Sequence, residues 1–232
     1  MCGRYVAPDI AAIERSWHIG RRNSNPFQRR FNVAPTTNIP VLHPRSGVDG
    51  FELTEARWGF VPYWWSKVKP PQHCINARSE DVATKAMWRD AFRGSRCLVP
   101  AEGYYEWQAA TRTDPNTGEI RTYKQPYFIF RPDRKLFCFA GLMSKWKQEG
   151  KEPLLTVALM TRSAAPSVEK IHDRMPVVLP DDLMNAWVNP ELKQPQEVAK
   201  IIEIAETDFV SYPVSTRLNS AKDDDEGLVK PV

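Results

Sequence analysis

Leu136-Phe137-Cys138-Phe139-Ala140-Gly141-Leu142 carries no polar side chain at either parity. A strand with one wet face alternates apolar and polar residues. A run that is apolar at both parities therefore belongs to a strand covered on both sides. Thr156–Thr161 and Cys97–Val99 read the same way, and Leu53–Phe60, Tyr104–Trp107, Tyr127–Phe130 and Pro176–Leu179 extend the series. Three helices are predicted around these strands. Ser79 caps one running through about Phe92, with Val82, Ala86, Met87 and Ala91 along one side. Asp181–Trp187 follows Pro180, and Glu197–Ala205 carries Val198, Ile201, Ile202 and Ala205 at helical spacing. The polar stretch from Gln108 to Gln125, with Asp114-Pro115-Asn116-Thr117-Gly118 inside it, predicts a long exposed hairpin loop. No repeat or flexible linker divides the chain, so the reading is one α+β domain over residues 1–232.

The totals suit that reading. A chain of 232 residues, 42% hydrophobic and 26% charged, is long enough to bury a real core. The net charge is only +4, but it is unevenly spread. Arg21, Arg22, Arg29 and Arg30 bracket one short segment, while Asp223, Asp224, Asp225 and Glu226 cluster near the C-terminus. A positive face and a polyanionic partner fit this pattern, and so does a solvated surface with an acidic tail. Cys2, Cys74, Cys97 and Cys138 form no CxxC pair, the four histidines form no HExxH pattern, and no metal or other cofactor is expected. Cys97 and Cys138 lie in apolar runs and read as buried thiols. With no signal peptide and no membrane-spanning stretch, the chain reads as a reduced, cytoplasmic protein.

The chain starts Met1-Cys2-Gly3-Arg4. Removal of Met1 would leave Cys2 with a thiol and a free α-amine on adjacent carbons. Such an amine has a reference pKa near ~7.7–8.0 and is partly neutral at physiological pH, so it can attack an aldehyde. The neighbouring thiolate can then close a five-membered ring. The other reading of Cys2 is a small buried core residue.

Three further segments hold candidate chemistry. In His73-Cys74-Ile75-Asn76-Ala77-Arg78-Ser79-Glu80, Asn76 offers a donor and an acceptor beside an expected helix N-terminus. Arg78 can fork onto a phosphate; alternatively Asn76 satisfies a turn and Arg78 is surface. In Glu102-Gly103-Tyr104-Tyr105-Glu106-Trp107, Glu106 is flanked by aromatics. Its pKa would rise there, fitting it for general acid or base work, unless an arginine pairs with it. In Ile171-His172-Asp173-Arg174-Met175-Pro176, His172 titrates in the right range for proton transfer, and Asp173 and Arg174 can orient it. Trp58-Gly59-Phe60-Val61-Pro62-Tyr63-Trp64-Trp65 clusters aromatics that could stack unpaired bases; Trp58 and Trp88 read as core, and one of Trp64 and Trp65 as exposed.

These motifs, with Arg30-Phe31-Asn32-Val33-Ala34-Pro35 and Pro213-Val214-Ser215, follow one another in an order that resembles the SOS-response-associated peptidase family. Its members sense abasic sites in single-stranded DNA. The resemblance spans nearly the whole chain. It implies a mostly antiparallel, barrel-like β fold with a few flanking helices and a groove for single-stranded DNA. It also implies loss of Met1, by self-processing or an aminopeptidase, and a thiazolidine crosslink between Cys2 and the abasic sugar. By that likeness Asn76 positions the terminus, and Glu106 and His172 move protons. Arg4, Arg78, Lys85 and Thr161 attend the phosphates, and Trp65 and Pro35 shape the strand's path. A Schiff base is also the first intermediate of lyase chemistry. The protein is expected to act as a monomer, with the acidic segment near 220–227 mobile or facing away from DNA. Two rivals remain: an N-terminal-nucleophile amidohydrolase, because such domains can also begin Met-Cys-Gly, and a non-covalent single-strand binder.

Overall fold

The computed structural model describes residues 2–19, 27–45, 50–114 and 117–232. Arg21, Arg22, Pro115 and Asn116 fall outside the described residues, as does Met1. One sheet contains β1 (Tyr5–Ala7), β2 (Arg30–Val33), β7 (Gly103–Thr113), β8 (Ile120–Phe130) and β13 (Val210–Pro213) in the order β13-β8-β7-β1-β2, all antiparallel. The other contains β3 (Asn38–Pro44), β4 (Phe51–Trp58), β5 (Asn76–Arg78), β6 (Arg96–Ala101), β9 (Phe137–Trp146), β10 (Leu154–Ser163), β11 (Arg174–Pro176) and β12 (Val178–Leu179). Its path runs β11-β10-β4-β3-β6-β9-β12, and β9 also pairs with β10. That extra ladder closes β10, β4, β3, β6 and β9 into a ring. The expected mostly antiparallel, barrel-like fold is present, with β4 and β5 the parallel partners of β10.

The run Leu136–Leu142 becomes β9, and its double apolarity has a simple cause. At one parity Cys138, Ala140 and Leu142 join Leu42, Leu98 and Ala158 in a core shared with Ile13, Phe92, Trp187 and Ile201 of the helices. At the other, Phe137 and Phe139 join Val41, Val99, Val157 and Leu159 in a core shared with Tyr5, Tyr104 and Ile129 of the first sheet. Cys97, Cys138 and Trp58 are fully buried and Trp88 nearly so, as their sequence contexts imply. The outer face of the first sheet buries Val6, Tyr105, Phe128 and Phe130 against Val214, Leu218 and Leu228. Gly103 sits where the sheet closes tightly; a Cβ there would lie 2.4 Å from the Phe128 ring.

Helix α1 (Ile10–Trp17) has no counterpart among the sequence expectations. It is capped by Asp9, whose carboxylate accepts from Ala12 N–H at 2.7 Å, and it ends at His18 in the left-handed region. The helix expected from Ser79 to Phe92 shrinks to α2 (Arg89–Gly94). Residues 79–88 form successive single turns instead, in which Thr84 Oγ1 donates to the Asp81 carbonyl and competes with a helical ladder. The next helix divides into a 3-10 turn at Asp181–Leu183 and α3 (Met184–Val188). The last is α4 (Pro195–Glu203), begun by a proline whose missing N–H costs nothing there.

Two further expectations change. The stretch from Gln108 to Gln125 is mostly strand: β7 and β8 stay paired from Tyr104↔Ile129 out to Thr113↔Ile120. The acidic segment is tied down. Asp224 accepts from the N–H groups of Phe31 and Asn32 at 2.5 and 3.0 Å, and Asn32 Nδ2 donates to the Ser220 and Asp223 carbonyls. The Asp224 carboxylate stabilises orphan donors on the edge of β2, and Asp225 accepts from Arg217 Nη2. Among the described residues no helix is long and apolar enough to cross a membrane.

Candidate active site

Residues 2, 76, 106 and 172 come from four segments far apart in sequence, and the two sheets bring them together. Tyr5 pairs with Tyr104, and Tyr105 N–H donates to the Arg4 carbonyl at 3.0 Å. Continuing that register puts Gly3 opposite Glu106. Side chains alternate across a sheet, so Glu106 shares the face of Tyr104, which points towards the barrel. Cys2 belongs to the same core and is fully buried. From the other sheet, Asn76 pairs with Leu159 and donates from Nδ2 to the Cys2 carbonyl at 2.9 Å. His172 arrives on the turn between β10 and β11, with Nε2 3.8 Å from Glu106 Oε2.

Burial sets the electrostatics. Glu106 is 2% exposed, and loss of solvent pushes its carboxyl up to about 7, with the charge of Asp173 acting in the same direction. The same loss of solvent, then the negative charge of Glu106, pushes the Cys2 thiol well up. His172 is pulled down by desolvation. Its Nδ1 lies 2.8 Å from Asp173 Oδ1 and also 3.0 Å from the backbone nitrogen of Arg174. The Asp173 carboxylate calls for a proton on Nδ1, whereas the Arg174 N–H calls for a lone pair there, so these two neighbours pull the ring towards opposite tautomers. Burial thus favours an uncharged Glu106–His172 pair over an ion pair.

Several polar atoms beside Cys2 have unused capacity. Among the described residues Tyr5 Oη, Asn76 Oδ1 and Tyr104 Oη are buried without a hydrogen-bond partner, as is Arg4 Nε on the opposite face of β1. Leaving such groups unpaired costs about 1–3 kcal/mol each, so a cluster of them marks a place organised for a ligand or for water. Among the described residues no group of three or more His, Cys, Asp or Glu side chains could hold a metal ion.

A family model described as "SOS response associated peptidase (SRAP)" matches residues 1–221. The chain belongs to the SOS response associated peptidase family. The abasic site processing protein YoqW of Bacillus subtilis is 32% identical over 233 residues, covering 99% of each chain. The abasic site processing protein YobE of the same organism is 35% identical over 223 residues, covering 95% of this chain and 97% of that one. A crystal structure of a protein from Bacteroides thetaiotaomicron superposes over both full chains with a TM-score of 0.78 at 21% identity, which establishes the shared fold.

Around the centre of this family member the other sequence candidates scatter. Arg78 is exposed at the end of β5, and Arg4 is half-buried with its charge disfavoured by desolvation. Thr161 is fully buried; its hydroxyl donates to the Ala77 carbonyl and accepts from Arg174 Nη2 at 3.3 Å. It holds β5 and Arg174 in place. Arg174 makes a fork with Glu80, an arrangement only the fold reveals. Lys85 pairs with Asp81 on the surface. Trp65 is partly covered, its indole donating to the Lys69 carbonyl at 2.9 Å, whereas Trp64 is 44% exposed. Pro35 lies in the turn between β2 and β3. Glu102, the other carboxylate of the Glu106 motif, forks with Arg29 at 2.8 and 2.6 Å.

Proposed function

We propose that this protein processes abasic sites in single-stranded DNA by capturing the ring-opened sugar aldehyde on Cys2. The names of its relatives support the abasic site as the lesion it acts on. One observation carries the mechanism: Asn76 grips the Cys2 carbonyl, and Glu106 is buried on the same face with its carboxyl near neutrality. While Met1 is attached, the Cys2 nitrogen is an amide without a nucleophilic lone pair. Its removal supplies the amine.

The steps then balance. The amine attacks the aldehyde carbon to give a carbinolamine. Protonated Glu106 gives its proton to the departing hydroxyl, leaving an iminium and water. The carboxylate so formed takes the thiol proton, and the thiolate adds to the iminium carbon and closes the thiazolidine. A carboxyl titrating near 7 is suited to both halves of this exchange. The raised thiol pKa delays thiolate formation until the iminium charge is there to favour it. His172, with Nε2 3.8 Å from Glu106 Oε2, is placed to exchange protons with that carboxyl. Asn76 Oδ1 is free to accept from the new terminal amine. Arg78 and Arg4 attract the phosphates, with affinity falling as salt rises.

The test mixes purified protein with single-stranded DNA holding one abasic site, and follows it on a denaturing gel beside the C2A variant. Wild-type protein, with its mass confirming loss of Met1, is expected to give a shifted band that survives denaturation. The C2A protein should give none while retaining most of its affinity for DNA. Undiminished capture by C2A would remove Cys2 from the mechanism.

A further inference from the structure

The outer half of the β7–β8 hairpin has no role in the chemistry above, yet it is a direct extension of the candidate site. Paired residues in an antiparallel ladder share a face. Outward from Glu106↔Tyr127, the rungs on the Glu106 face are Gln108↔Gln125, Ala110↔Tyr123 and Arg112↔Arg121. At about 3.3–3.4 Å per residue, the last rung lies roughly 20 Å along the strand from Glu106. The base of this arm is bolted to the His172 turn, because Gln108 Nε2 donates to the Lys170 carbonyl at 2.6 Å.

The arm has little cover: its Arg112, Arg121 and Tyr123 line an open cleft whose other side is Val214, Asn219 and Val232. From Ala109 to Thr113 and from Ile120 to Lys124 nearly every residue is exposed. A two-stranded ribbon with so little cover is at best marginal in water. Its composition adds a second cost, since Arg112 and Arg121 face each other directly and like charges across a rung repel. Arg121 has a carboxylate partner in Glu119, in a pair more than half exposed. The Arg112 guanidinium has no carboxylate partner among the described residues. An anion bound between the two would relieve the repulsion. One rung nearer the site, Tyr123 is 39% exposed opposite the small Ala110, which leaves its ring open for stacking. Lys124 adds a charge that is felt at His172.

We propose that the outer β7–β8 arm is a second, non-covalent binding surface for the lesion-bearing strand. Tyr123 stacks on an unpaired base, and the Arg112–Arg121 pair holds a phosphate some 20 Å from the reacting centre. This rests on the reading of the chain as a single-strand binder that acts on abasic sites. The arm would then read strand length beyond the lesion: a reach of ~20 Å corresponds to about six stacked nucleotides at ~3.4 Å each.

The experiment compares wild type, Y123A and the double variant R112E/R121E on two abasic oligonucleotides, about five and about twenty nucleotides long, each with its lesion central. At ~3.4 Å per nucleotide only the longer one reaches the arm. An undamaged long oligonucleotide is titrated in parallel. On both long strands Y123A should bind roughly tenfold more weakly, the scale of one lost base–aromatic stack. The double variant should lower the salt slope by at least ~0.7, one phosphate contact on a single strand. Short-strand binding and the final yield of covalent capture should match wild type. Unchanged long-strand affinity, as expected if the exposed edge of β8 instead docks a peptide, would overturn the proposal, as would an equal loss on both lengths. The undamaged strand separates this outcome from failure of the capture chemistry, because it reports the arm even if no crosslink forms. Circular dichroism of each variant checks that the hairpin remains folded.

Discussion

Two halves of one hairpin make opposite use of the same ladder. From Gly103 to Glu106, and from Tyr127 to Phe130, β7 and β8 run between two cores, and Tyr104, Tyr105, Phe128 and Ile129 are buried. Beyond Gln108 and Gln125 the pairing continues unbroken, but the side chains are mostly polar or small and open to water. Where the strands are covered, a single carboxyl is shifted to about 7 because solvent cannot stabilise its charge. Where they are bare, two guanidinium groups can face each other because water screens them. Backbone pairing is common to both halves. What differs is the solvent, and the solvent decides whether a charged residue acts as an acid or as a contact.

The largest expected effect tests the covered half. Tyr104 is fully buried and packs edge-on against Phe139 and Phe209, at centroid distances of 6.1 and 6.2 Å. Tyr104→Ala should cost about 3–5 kcal/mol in urea unfolding, the range for emptying an aromatic site. A loss below ~1 kcal/mol would mean that the inner half is no better packed than the outer.

Glu106 sharpens the same point through pH. Its folded-state pKa of about 7 lies above the ordinary 4.5, so between those values the native state holds a proton that the unfolded chain releases. Wild-type stability should therefore fall, relative to E106Q, as pH rises through that window, and the gap should level off above 7. At ~1.4 kcal/mol per pH unit, E106Q should be about 3 kcal/mol more stable at pH 8 and equal at pH 4. A gap that does not change with pH would refute the desolvated carboxyl.

Much of this was legible in the sequence, and the failures have a common physical source. Runs apolar at both parities announced strands between two layers, and the aromatic flanks of Glu106 announced its dry environment. The polar run Gln108–Gln125 concealed an extended ladder, because a ribbon wet on both faces has no hydrophobic period to betray it. Asp223–Glu226 read as a segment either mobile or facing away from DNA, because charge says nothing about a partner's position. Its partners are backbone donors of Phe31 and Asn32, nearly two hundred residues away. The fork between Arg174 and Glu80 was hidden for the same reason. Local motifs located each candidate side chain, but only the register of β1 on β7 and of β5 on β10 fixes which of them share one centre.

The docked tail allows a test of middling size. Asp224→Ala removes the acceptor for two N–H groups at the edge of β2 and a partner at 3.3 Å from Arg30. About 1–2 kcal/mol of stability should go with it, and amide exchange at Phe31 and Asn32 should quicken. Unchanged exchange would return the segment to the mobile tail that its composition suggests.

The smallest expected effect is the most discriminating. Tyr123 lies on the same face of the same hairpin as Glu106, but it is 39% exposed and belongs to none of the three cores. Tyr123→Ala should change unfolding free energy by no more than ~0.5 kcal/mol, as for an exposed residue free of special contacts. The contrast with Tyr104 then isolates burial, since both tyrosines sit on one ladder and project from the same side. Stability set against strand binding separates the two uses of the hairpin: a side chain that adds nothing to folding but weakens binding when removed is there for the ligand. A loss as large as that of Tyr104→Ala would instead make the outer rungs part of the folded core, and the division between the halves would fail.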